Sequence, residues 1–164
     1  MWSLLNLEIG AGTKAVDGWI SLDNSPFVES DLKADLESGL PFRADTFNEI
    51  KAIHTLEYIE HLIPLMNDCW DCLKVKGSMV ICTPVWPSSD MFVDPTHKRF
   101  FTIGTFEYWS IDHARHKEYG KIYGIKPWRI VDGPYRGDDK GHVEMSIRMM
   151  PVKDGGVANA VQSN

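Results

Sequence analysis

Nowhere does the chain reach the roughly 20 consecutive apolar residues that a membrane-spanning helix requires, so no membrane partner is expected. Met1-Trp2-Ser3 runs straight into the first apolar segment with no basic region ahead of it, and a cytoplasmic location is expected. Cysteine is sparse. Three residues, Cys69, Cys72 and Cys82, are an odd number without a secretory signature, which points to reduced thiols rather than a disulfide framework. Cys69-Trp70-Asp71-Cys72 is formally C-x-x-C, but no second such pair exists to complete a zinc site, and no metal site is expected. Basic excess is also missing: the net charge of −6 argues against a general nucleic-acid surface. No internal repeat is visible.

What is present is the composition of one folded core. The 164 residues are 43% hydrophobic and 24% charged, enough for a single domain and too few for two good ones. The rest of the chain is arranged around Leu4 to Gly12, LLNLEIGAG, where a short apolar run ends abruptly in two glycines. That pattern reads as a buried strand delivering the chain into a turn where a ligand can approach the backbone. Gly10-Ala11-Gly12-Thr13-Lys14-Ala15 satisfies the dinucleotide pattern G-x-G-x-x-G/A, but only Thr13 to Asp17 remain before Gly18 and the strand-like Trp19 to Asp23. About one helical turn fits there, whereas a pyrophosphate site uses the N-terminus of a full helix. Asp23 lies eleven positions after Gly12 instead of the expected twenty or so. A ligand with a ribose and no pyrophosphate is the better match, and a nicotinamide-dependent oxidoreductase is a weaker alternative.

Five motifs in order then carry a resemblance: LEIGAG (7–12), GWISLD (18–23), ADLESGLPF (34–42), FNEIKAIHTLEYIEHL (47–62) and CLKVKGSMVICTP (72–84). Over roughly residues 4–110 the chain resembles the class I S-adenosylmethionine-dependent methyltransferases, nearest to their small type-11-like branch. The resemblance implies an α/β fold, a Rossmann-like methyltransferase sheet that is mostly parallel with a C-terminal antiparallel hairpin. Helices are expected on both faces, reduced near the N-terminus. Residues 1–153 would form one methyltransferase-like domain and 154–164 a loose tail. The implied cofactor is S-adenosylmethionine, with Glu8, Gly10, Ala11, Gly12, Asp23, Asn24, Asp35, Leu36 and His54 as its binding residues. Asp23 would accept from the ribose hydroxyls and Asp35 from the adenine amino group, with Leu36 packed on the ring. Relatives carry Leu-Glu-His after the fourth strand; here Leu56-Glu57-Tyr58 stands there, so that histidine's role does not transfer, and His61 is read as a helix-surface residue.

Several elements are legible directly. Leu32, Ala34 and Leu36 alternate within an acidic stretch, predicting a short third strand that ends at Ser38-Gly39. Phe47 to His54 reads as the fourth strand, which puts His54 at the carboxyl end where ligands gather in open α/β sheets. Leu62 to Lys74 is the clearest helix: Leu62, Leu65, Met66, Cys69 and Leu73 form a stripe, so the cysteines lie on or beside its buried side. Ser78 to Cys82 is the fifth strand, ending in the rigid Thr83-Pro84-Val85-Trp86-Pro87. Ser88 to Lys126 has no strand pattern and reads as an insertion with short helices. Trp128 to Val131 and His142 to Met149 close the sheet.

Methyl transfer from an activated donor asks the protein mainly for positioning and for removal of the acceptor's proton. The candidate bases are His97 and His54, with Asp94 and Tyr58 behind them. Between Pro95 and Ile130 seven basic side chains face three acidic ones, a local +4 against −10 elsewhere. This predicts a small anionic acceptor, such as a phosphorylated or nucleotide-linked sugar with an O- or N-nucleophile, bound by Lys98 or Arg99 with Trp86 nearby. A nucleic-acid partner is disfavoured, because His54-Thr55-Leu56-Glu57 replaces the Asn/Asp-Pro-Pro-aromatic tetrad of DNA amino-methyltransferases. The alternative is a non-catalytic methyltransferase-fold binding protein or subunit. With so few helices to cover a cofactor, a homo-oligomer or a partner subunit is part of either expectation.

Overall fold

Five parallel strands and a closing hairpin make one seven-stranded sheet in this computed structural model, which describes residues 4–139 and 142–153. The tail expected at 154–164 lies outside the described residues. In chain order the elements are β1 (Asn6–Ile9), β2 (Ile20–Asp23), β3 (Leu32–Lys33), β4 (Phe47–Ile53), α1 (Leu62–Cys72), β5 (Leu73–Pro84), α2 (Asp90–Val93), β6 (Trp128–Asp139) and β7 (His142–Pro151). Their spatial order is β3-β2-β1-β4-β5-β7-β6. β1 pairs in parallel with β2 and β4, while β7 runs antiparallel between β5 and β6. The register puts Leu7, Ile50 and Met79 side by side and then Ile9, Ala52 and Ile81, so one face of the central strands is apolar, and all six residues are fully buried.

The helix α1 forms where its stripe predicts, burying Leu62, Leu65, Met66, Cys69 and Cys72. It stops before Lys74 because Leu73 turns extended and pairs with Phe47 as the first residue of β5. A shift in pairing between Phe47 and Glu49 then accommodates 74–77 before Ser78 resumes the ladder. β3 is shorter than its alternation suggested: Asp35 accepts from the Glu37 N–H at 3.0 Å and caps a single 3₁₀ turn at Leu36–Ser38. β6 runs past the expected end at Val131, continuing through Gly133-Pro134, which sit at irregularities of an edge strand, where proline is tolerated.

The helical cover is thin. Among the described residues α1 has 11 residues, α2 has four, and the remaining helices, at Leu36–Ser38, Leu56–Tyr58, Thr105–Tyr108 and His116–Gly120, are short turns. No helix forms between Gly12 and β2, as the spacing implied. Among the described residues no helix is long and apolar enough to cross a membrane. Parallel pairing brings the carboxyl ends of β1, β2, β4 and β5 to one edge, so Gly10, Asp23, His54 and Pro84 meet there.

Candidate functional site

A cavity of about 400 Å³ opens at that edge, lined by Gly10, Gly12, Asp23, Asn24, Asp35, Leu36 and His54, together with Ala34, Glu37, Thr55, Tyr58, Ile59 and Lys98. β1 reaches it through two left-handed glycines. Gly10 has φ +62, and a Cβ there would stand 2.5 Å from the side chain of Thr55. The Thr55 hydroxyl in turn donates to the Ile9 carbonyl at 3.0 Å, locking the turn against the start of the segment after β4. Gly12 has φ +56 and nothing within 4 Å of where its Cβ would be, so a side chain there would stand in open space at the cavity wall. Asp23 closes the turn: its Oδ2 accepts from the Gly12 N–H at 2.9 Å and its Oδ1 from the Ser25 N–H at 2.8 Å. Each oxygen keeps a further lone pair for a ligand hydroxyl.

Two residues expected to touch the cofactor do not line the cavity. Glu8 is buried and accepts the Val16 N–H at 2.8 Å, which holds the loop after the glycine turn; its role is to shape the wall. Ala11 is buried, with its N–H bonded to the Leu22 carbonyl at 3.2 Å.

The opposite wall is fastened by Glu37. Its two oxygens accept the N–H groups of Glu60 and His61, at 2.5 and 3.0 Å, just ahead of α1, and Lys98 lies 3.5 Å away. Burial pushes the Glu37 carboxyl up, but these three donors outweigh it and hold the group below its ordinary value.

A second cavity of about 320 Å³ shares His54 and Tyr58 with the first and is lined further by Glu57, Asp90, Asp94, His97 and Glu144. His97 Nδ1 lies 3.0 Å from the Met91 carbonyl, an acceptor only, so the proton is assigned to Nδ1 and Nε2 keeps its lone pair. Tyr58 donates to Asp94 Oδ2 at 3.0 Å. Burial and that carboxylate push the phenol up to about 12, so Tyr58 is a neutral donor and not the base the sequence allowed. His54, at φ +49, sits with Nδ1 3.4 Å from Glu57 and Nε2 3.1 Å from Glu144. Its hydrogen bond with Cys82, then that with Glu57 and the two carboxylate charges, raise it to about 10. The shift favours the imidazolium and works against a general-base role for His54.

The acceptor residues expected from the basic stretch are placed otherwise. Lys98 lines the first cavity and pairs with Glu37 and, at 3.8 Å, with Glu60. Arg99 donates from Nε to the Ile59 carbonyl at 3.1 Å and from its terminal nitrogen to that of Glu60. Arg115 pairs with Glu107, Lys126 with Asp71 and Arg129 with Asp112. Trp86 is 61% exposed and lines neither cavity. Five of the seven basic side chains that cluster in the sequence are thus held by local partners, and the second cavity is lined by the carboxylates of Glu57, Asp90, Asp94 and Glu144 instead. A further cavity of about 550 Å³, lined by Arg99 and Arg115, lies between the first turn of α1 and the 99–109 segment and shares no lining residue with the other two.

No family model and no curated protein matches this sequence. Solved structures match by fold. An S-adenosylmethionine-dependent methyltransferase from Mesorhizobium loti is 15% identical, with 90% of this chain and 91% of that one covered at a TM-score of 0.60. The YcgJ protein of Bacillus subtilis is 14% identical, with 92% and 93% covered at 0.58. A chain from the complex between the Haloferax volcanii Trm112 methyltransferase activator and a candidate methyltransferase is 12% identical, with 90% and 82% covered at 0.58. The chain therefore has the Rossmann-like fold of S-adenosylmethionine-dependent methyltransferases.

Proposed function

We propose that the protein is an S-adenosylmethionine-dependent methyltransferase, with its cofactor in the 400 Å³ cavity and a small-molecule acceptor in the 320 Å³ one. The observation that carries this reading is the shared wall: His54 and Tyr58 separate a glycine turn closed by a carboxylate from a cavity holding a histidine with a free ring nitrogen. The first cavity falls in the range of about 300–1,000 Å³ typical of small-molecule sites. Its residues suit the group, since Gly12 leaves open space where any side chain would intrude and Asp23 presents a ribose-binding carboxylate. Bound there, S-adenosylmethionine supplies an activated methyl group.

The chain's own part is to position the acceptor and take its proton. His97 Nε2 is the receiving atom, fixed by the Met91 carbonyl on the other side of the ring and set 4.0 Å from Asp94. Tyr58, held by Asp94, offers its ring to the edge of His97 with centroids 4.8 Å apart. The carboxylates around the second cavity favour a neutral or cationic hydroxyl or amine over the anion that the charge count suggested. Free thiols at Cys69, Cys72 and Cys82 fit a cytoplasmic setting.

The test is calorimetry with S-adenosylmethionine, its demethylated product and NAD, followed by a labelled-methyl screen over neutral and cationic acceptors. Binding of the first two without NAD, and label transfer, is the expected result. Binding without transfer favours a second reading, a methyltransferase-fold subunit that works with a partner. The thin helical cover supports that reading, and the Haloferax complex with an activator is a structural precedent for the pairing.

A further inference from the structure

Cys82, His54 and Glu144 come together at the sheet edge and have no assigned task in proton transfer. His54 follows β4 and its N–H donates to the Cys82 carbonyl at 2.9 Å. Cys82 pairs with Ser146 on β7, and Glu144, two residues away, shares that face. One donor atom from each of the three side chains lies within 4.8 Å of the other two. Glu144 reaches both partners, with Oε1 3.1 Å from His54 Nε2 and Oε2 3.5 Å from Cys82 Sγ. Ligands of one tetrahedral zinc ion, at ordinary Zn–N, Zn–O and Zn–S bond lengths, stand about 3.3–3.6 Å apart.

Two further features fit. His54 is held at φ +49, a left-handed conformation that a residue with a side chain rarely adopts and that tends to persist at functional sites. Its other ring nitrogen lies 3.4 Å from Glu57, which is 1% exposed and also accepts from the Thr83 hydroxyl at 3.1 Å. A buried carboxylate behind a ligating imidazole is the usual device for fixing the ring's tautomer and orientation at a metal.

We infer that His54, Cys82 and Glu144 form a site for a zinc-type divalent ion, with Glu57 orienting the imidazole and the fourth coordination position open toward the 320 Å³ cavity. The nitrogen, sulfur and oxygen donor set selects zinc or cobalt over magnesium or calcium. Three protein ligands leave one position vacant, and two of them, His54 and Glu144, line the cavity. Loading releases the Cys82 thiol proton and any proton on His54 Nε2 to solvent. A hydroxyl, thiol or water reaching the open position is made more acidic by the ion.

The inference does not depend on the methyl-transfer reading, because metal binding is measured without cofactor or acceptor. Chelator-treated full-length protein is titrated with Co²⁺ and followed by visible absorption and by the thiolate-to-cobalt charge-transfer band. One equivalent is expected to bind, to be displaced by Zn²⁺, and to lose the charge-transfer band in Cys82→Ser. Glu57→Gln should weaken affinity about 10- to 100-fold. The band persisting in Cys82→Ser, which would point to Cys69 and Cys72, overturns the site, as does no stoichiometric binding. If Cys82→Ser does not fold, Glu144→Gln decides: weaker cobalt binding supports the site, and unchanged binding overturns it.

Discussion

Asp23 carries two tasks on one carboxylate. It fastens the Gly12 and Ser25 amides and, in the proposed complex, accepts from the ribose. Losing a hydrogen bond to a charged group costs about 1.5–3 kcal/mol, so Asp23→Ala should weaken S-adenosylmethionine binding at least about tenfold in calorimetry. Gly12→Val should do no less, by filling the open space and straining a left-handed residue; unchanged affinity in both would remove the assignment. For His97 the split lies in the kinetics: His97→Ala should mainly lower kcat, with KM little changed. Arg99→Ala is expected to leave KM alone and lower the melting temperature, since the guanidinium supports the carbonyls of residues 59 and 60. The thiols Cys69 and Cys72 are raised by burial first, Cys72 to about 11, as suits packing residues. Alanine at either should cost roughly 1 kcal/mol by denaturant titration and leave cofactor affinity intact.

At the scale of elements, the contact between the 3₁₀ turn at Leu36–Ser38 and α1 has an acid-sensitive clasp. Glu37 is held below the ordinary glutamate value of 4.5, so its stabilising contribution is fully present above that pH. It is lost as pH falls from 4.5 through the lower folded value, because the protonated carboxyl gives up its charge-assisted bonds. Glu37→Gln should remove about 1 kcal/mol at neutral pH, the worth of a helix cap, and make stability less dependent on acid. A mutant as acid-sensitive as the parent would refute the clasp. Which elements could be read in advance follows the same logic of locality. β1, β2, β4 and α1 announce themselves through their own apolar patterns, and the glycine turn with Asp23 is a local motif. β5 begins early and β6 runs long because strand pairing recruits Leu73 and carries the edge past Gly133-Pro134, which no local pattern encodes. The His54–Cys82–Glu144 cluster gathers the residue after β4 with one each from β5 and β7, and Cys82 and Glu144 are 62 positions apart, so it takes the β5–β7 register to reveal it. The basic stretch shows the converse: a charge count does not contain the partners that the fold provides, such as Glu107 for Arg115 and Asp112 for Arg129.

For the whole molecule, a sheet with one substantial helix among the described residues leaves ligand binding as a large contribution to stability. S-adenosylmethionine at 100 times its Kd should add about 2.7 kcal/mol, which for a chain of this size is about 5–10 °C in melting temperature. The demethylated product should act similarly and NAD should not shift the transition. The same Glu37 carboxylate that clasps the wall also gives the cavity a built-in gauge. Two amide protons, those of Glu60 and His61, point at a single charged group on its rim, and no other side chain competes for them in the hydrogen bonds described. In a nitrogen-15 spectrum that pair should resonate downfield as a linked couple, moving together when the pocket fills and together again, upfield, when the carboxyl takes up its proton.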